Sequence, residues 1–144
     1  MLLASPAVLP ALLAQSDPVP LGRFAIHKTL QSSTCSAKPT LRDHEIVVRV
    51  ESADRITIDD GNGLWAARMT PNGNFTTDPR SGKLADGTRL DVVMSGAVSR
   101  SAFEGMLQGR RGPSGADPSG CRYAIRWRGT PVPDSAQGKA GAGR

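Results

Sequence analysis

Between residues 22 and 129 the chain alternates apolar and polar positions in short runs, each ended by Gly, Asn, Asp, Pro or Ser. A period of two puts successive side chains on opposite faces of an extended strand, so each run reads as a strand with one buried and one wetted face. His44 to Glu51 carries Ile46, Val48 and Val50 on one side and Glu45, Arg49 and Glu51 on the other, with Val47 the single exception. Arg23 to Leu30 groups Phe24 with Ile26, Arg55 to Asp59 groups Ile56 with Ile58, and Leu64 to Thr70 groups Trp65, Ala67 and Met69. Phe75-Thr76-Thr77 follows a turn at Pro71-Asn72-Gly73-Asn74. Thr88 to Val98 holds Leu90, Val92, Met94, Gly96 and Val98 in register, and Phe103, Gly105 and Leu107 continue beyond Ser99-Arg100-Ser101. In the last run Cys121, Tyr123, Ile125 and Trp127 alternate with Arg122, Ala124, Arg126 and Arg128.

No window of helical length keeps an apolar spacing of 3.6 residues; the nearest, Ala97 to Leu107, is interrupted by glycine. A half-wetted pattern throughout disfavours a parallel βαβ fold, whose strands are buried on both faces. The expected fold is all-β: about seven or eight antiparallel strands in an up-and-down meander, closed as a small barrel or β-clam. Closure removes the unpaired edges that would otherwise template association. Residues 109–120, rich in Gly, Pro and Ser, read as a long loop before the final strand.

The ends of the chain have a different character. Residues 1–14 are apolar and uncharged, too short for a stable bilayer anchor, and read as a secretory signal with Ala14 at the cleavage point. Residues 15–21 read as a linker, 22–129 as the β-domain and 130–144 as a disordered tail. Aromatic residues make up only 4% of the chain, so the core rests on aliphatic side chains and gains from a covalent staple. Cys35 and Cys121 are the only cysteines, one near each end of the domain. In an oxidising compartment their disulfide contributes about 4–5 kcal/mol in the chain-entropy model. Zinc is the competing use, and it lacks ligands: there is no CxxC, and only His27 and His44 could assist. Signal and cysteine pair together point to a periplasmic or secreted protein.

The formal charge of +5 is spread along the chain, with no basic run longer than Arg110-Arg111. Arg122, Arg126 and Arg128 line one side of the last strand, and Arg110 and Arg111 lie on the segment expected to pair with it. Guanidinium groups so placed suit phosphates or carboxylates of an anionic envelope component or a partner protein. No aromatics interleave with them, which disfavours nucleic acid as a partner. Asp43-His44-Glu45 sets a histidine between two acids, but neighbours along a strand face opposite ways and form no relay. Asp59-Asp60-Gly61-Asn62-Gly63 has calcium-like oxygens yet no distal glutamate, and reads as a hairpin turn. No catalytic residue, metal site or cofactor is expected.

The strand order, the Gly22-Arg23-Phe24 opening and an arginine on the last strand resemble the calycin barrels, lipocalins in particular. Phe24 stands where that family has tryptophan, and no helix follows the last strand. The resemblance implies a closed barrel, with Arg126 or Arg128 packed over the aromatic ring and a disulfide from an early segment to the last strand. Two functions follow. The first is an exported, non-catalytic barrel holding a small apolar ligand among Phe24, Val48, Ile58, Met94, Leu107 and Ile125. The second is a structural or protein-interaction module of the cell envelope, with those side chains packed on each other and no pocket.

Overall fold

The fold is seen in a computed structural model that describes residues 19–133; the expected signal at 1–14 and residues 134–144 of the expected tail lie outside them, while Thr130 and Pro131 of that tail end the last strand. Among the described residues there are nine strands and no helix: β1 (Val19–Ser33), β2 (His44–Ser52), β3 (Arg55–Asp59), β4 (Leu64–Met69), β5 (Asn74–Thr77), β6 (Arg80–Lys83), β7 (Arg89–Val98), β8 (Phe103–Arg111) and β9 (Cys121–Pro131). All pairings are antiparallel, and β1–β2–β3–β4–β5–β7–β8–β9 returns to β1 as a closed barrel of eight strands. The short β6 follows β5 along the same edge of β7.

Chain chemistry accounts for the joins. At the β5–β6 junction the outer strand spends one residue more than β7, and Pro79, which has no N–H to donate, sits there. The Met94 amide is satisfied instead by the Thr77 hydroxyl at 2.9 Å, which explains why Thr77 is the one buried polar side chain among the described residues. Gly61 and Gly73 adopt φ of 88° and 90° in the two turns read from Asp60-Gly61 and Asn72-Gly73. β1 is long because it serves two partners: residues 19–26 pair with β2, while residues 24–33 pair with β9. Register shifts between Pro20 and Gly22 and between Leu30 and Ser32 let it bend round the barrel. It starts at Val19, within the stretch read as a linker, and β8 runs to Arg111, within the stretch read as a loop.

Inward side chains form a single buried cluster, with Phe24 and Phe103 at 5.9 Å and Phe75 and Phe103 at 5.4 Å between ring centroids. Small and large residues alternate across β8 and β9: Phe103 faces Gly129, Gly105 faces Trp127, and Gly109 faces Tyr123. The glycines leave no vacant space. A Cβ on Gly109 would stand 2.2 Å from the Tyr123 ring, and one on Gly105 would stand 2.9 Å from Met94 Sδ. Between β7 and β8 the backbones are closer still: a Cβ on Gly96 would lie 1.9 Å from the Glu104 carbonyl oxygen. The sparse aromatics therefore fill the room that glycine provides.

Cys35 and Cys121 form the expected disulfide, tying the segment after β1 to the start of β9. The neighbouring polar contacts hold that segment down. Thr34 donates its amide to the Arg122 carbonyl at 2.9 Å, and Arg111 Nη1 donates to the Ala37 carbonyl at 3.0 Å.

Candidate functional site

The six residues assigned to an interior ligand, Phe24, Val48, Ile58, Met94, Leu107 and Ile125, all lie inside the barrel and are 0–7% exposed. They belong to the same buried cluster. None of them lines the larger hollows of the molecule.

Those hollows are on the outer face. One, a groove of about 600 Å³, is bordered by Pro79 and by residues 91–93, 108–110, 122–124 and 32–34. These are consecutive triplets on β7, β8 and β9 and at the end of β1, so the groove runs across neighbouring strands rather than along one. Strand alternation assigns the walls. Val93, Gln108 and Ala124 form one outward row, continued by Ser32, and Asp91, Arg110 and Arg122 form the next, continued by Thr34. A second hollow of about 400 Å³ lies against residues 110–113 and 119–122 and shares Thr34, Arg110 and Arg122 with the first. Arg110 and Arg122 thus stand as a ridge with open space on both sides.

The charges on this ridge are unbalanced. Arg110 and Arg122 are direct cross-strand partners, an arrangement in which like charges repel. Asp91 faces Arg110 from the other side, but its carboxylate already accepts from the Ser81 hydroxyl and from Arg89 Nε at 3.1 Å. Those hydrogen bonds, the serine's first, together with the charges of Arg89 and Arg110, hold the Asp91 carboxyl below the usual range and keep it ionised. Among the described residues no carboxylate lies within ion-pair distance of Arg110 or Arg122.

Of the four arginines read as a surface site, the fold brings these two together and sets the others apart. Arg126 faces Met106 and borders a separate hollow of about 340 Å³, and Arg128 donates to Glu104 at 3.2 Å. Neither is the cation stacked on an aromatic ring. That place is taken by Lys28, whose Nζ lies 4.5 Å above the centre of the Trp127 ring. Arg80 covers Trp65 in the same way at 4.3 Å, and His44 meets Trp127 edge-on at 5.1 Å.

Lys28, His44 and these tryptophans close one end of the barrel, and pattern reading left that cluster out. Its signal was present: Lys28 has the parity of Phe24 and Ile26, and His44 that of Ile46 and Val48. Burial pushes the Lys28 amine and the His44 imidazole below their ordinary pKa values, with Lys28 adding repulsion at His44. The outward His27 instead meets Asp43 at 3.3 Å. Asp60 accepts from the amides of Asn62 and Gly63 and from Trp65 Nε1, so the Asp-Gly-Asn turn uses its carboxylate within the fold. Among the described residues no group of His, Cys, Asp and Glu is arranged to hold a metal ion.

The fold and groove define a class, a small disulfide-bonded antiparallel barrel with a packed interior and a basic outer groove. Comparison of the chain with protein families, with curated proteins and with solved structures gives no match.

Proposed function

We propose that this protein is an exported, non-catalytic interaction module of the cell envelope that works through its outer face and not through its interior. One observation carries the reading: inward glycines, where a ligand barrel would have spare volume, are covered by the Tyr123, Met94 and Ile26 side chains. The disulfide is consistent with an oxidising compartment, and the apolar residues 1–14 supply a reason for export. The working surface is the groove beside Arg110 and Arg122, because there the sheet sets two arginines side by side, neither in an ion pair among the described residues, with room for a ligand.

Mass spectrometry of protein exported to a bacterial periplasm tests this. The denatured mass is expected to lack the N-terminal segment and two hydrogens. Any companion retained in the native mass should be lost from the Arg110→Gln/Arg122→Gln variant and kept by Leu107→Ala. A companion lost from Leu107→Ala and kept by the arginine variant would place the ligand inside the barrel and overturn the reading.

A further inference from the structure

We infer that the outer groove binds a single-chain amphiphile with a phosphate head, the phosphate on the Arg110–Arg122 ridge and the apolar chain across Val93 and Ala124. The inference rests on the reading that the outer face is the working face, and it names the ligand class.

Charge selects the head group. Two guanidinium groups opposed across a strand pair, with Asp91 beside Arg110 already hydrogen-bonded to Ser81 and Arg89, favour an anion with more than one negative charge, and a phosphate monoester carries about −1.5 to −2 at neutral pH. Its oxygens also match the paired N–H groups of arginine, which a single point charge cannot do. Asp91 bounds the head-group position on the β7 side, because its ionised carboxylate repels an anion from there. The phosphate is thereby confined to the β8–β9 side of the row.

Shape and polarity select the body. Next to the charged row, the outward row of Val93, Gln108 and Ala124 breaks the polar pattern of the outer face with one branched apolar residue and one small one. Pro79 continues that apolar floor beyond β7. Crossing from Pro79 to Ser32 takes four inter-strand steps, about 19 Å at the usual strand spacing. A groove of about 600 Å³ over that length has room for one extended chain. An acyl chain needs no hydrogen bonds from Val93 and Ala124.

Titration calorimetry with decyl phosphate, held below its aggregation concentration, tests the inference on the full disulfide-bonded protein. Saturable one-to-one binding is expected, at least tenfold weaker in Arg110→Gln/Arg122→Gln and in Val93→Asp, and unchanged in Arg126→Gln/Arg128→Gln. Decanol and inorganic phosphate, each with half of the chemistry, should both bind at least tenfold more weakly than decyl phosphate. Equal losses in the two arginine pairs would mean general charge attraction and would overturn the site. Attachment to phosphatidic acid vesicles without binding of monomeric decyl phosphate would overturn it in favour of a membrane surface. If decyl phosphate fails to bind while the native companion still depends on Arg110 and Arg122, the ligand class is wrong and the outer-face reading stands.

Discussion

On the inner face of β8 and β9 each small residue stands opposite a large one, and on the outer face of the same strands Arg110 stands opposite Arg122. The inner rows are complementary: Gly129 admits Phe103, Gly105 admits Trp127, and Gly109 admits Tyr123. A Cβ on any of these three glycines would meet a neighbouring side chain. The outer row has the reverse property, two like charges side by side and open space around them. A strand pair optimised for stability alone would place opposite charges on that row. The difference teaches where the molecule holds itself together and where it has surface to spare for a partner.

The comparison breaks most readily at Gly96. Its Cβ would fall 1.9 Å from a backbone oxygen, which no rotamer change can relieve. Gly96→Val is expected to cost more than about 4 kcal/mol or to prevent folding, read from soluble yield and urea unfolding. A well-folded variant with a wild-type midpoint would show that β7 and β8 are less tightly joined than described.

The next largest effect concerns the disulfide, which fixes the segment beside the groove to β9. Cys35→Ser/Cys121→Ser is expected to lose about 2–5 kcal/mol in urea unfolding. Dithiothreitol should bring the wild-type protein towards the same midpoint, and an unaffected midpoint would mean that the link contributes nothing.

Titration sharpens the comparison at the polar end of the interior. His44 has a folded pKa below its unfolded value of 6.5, because burial beside Trp127 and the charge on Lys28 both disfavour the imidazolium; Asp43 and Asp60 oppose the shift without reversing it. A depressed pKa means that the unfolded chain binds the proton more tightly, so stability is intact above about pH 6.5 and falls as the pH drops below it. His44→Gln should flatten the urea midpoint between pH 7.5 and 5. The outward carboxylates Asp43, Asp86 and Asp91 are held below 3.8, mainly by hydrogen bonds, so their contribution is lost only in a lower window. An unchanged slope in the variant would remove His44 from the account.

The smallest effect lies on the outer row. Arg122→Gln is expected to leave stability unchanged within about 0.5 kcal/mol or to raise it slightly at low salt, with the gain fading as salt is added. A clear loss would mean that Arg122 has a structural partner.

Much of this division was legible in the sequence because inner and outer positions differ by parity alone. β3 runs from Arg55 to Asp59 as the alternation indicates, and the inward sets on β2, β7 and β9 are the apolar ones. The disulfide followed from cysteine number and placement, and the structure contains it. β6 was missed because Arg80-Ser81-Gly82-Lys83 has no apolar side chain to mark a strand; only its backbone pairing with β7 makes it one. The pairing of Arg110 with Arg122 depends on register across a nine-residue connection, which no local pattern encodes. The cations over Trp127 and Trp65 were hidden for a similar reason, since charge on an inward position reads as a pattern fault until a ring is found beneath it.

Urea unfolding of Ile58→Ala tests the central claim, a barrel packed within and active without, most directly. Ile58 is fully buried in the core, and removing its side chain should cost about 2–5 kcal/mol, as for a well-packed aliphatic residue. A loss below about 1 kcal/mol would show that the side chain borders open volume, and the interior, not the groove, would then be the place to look for a ligand.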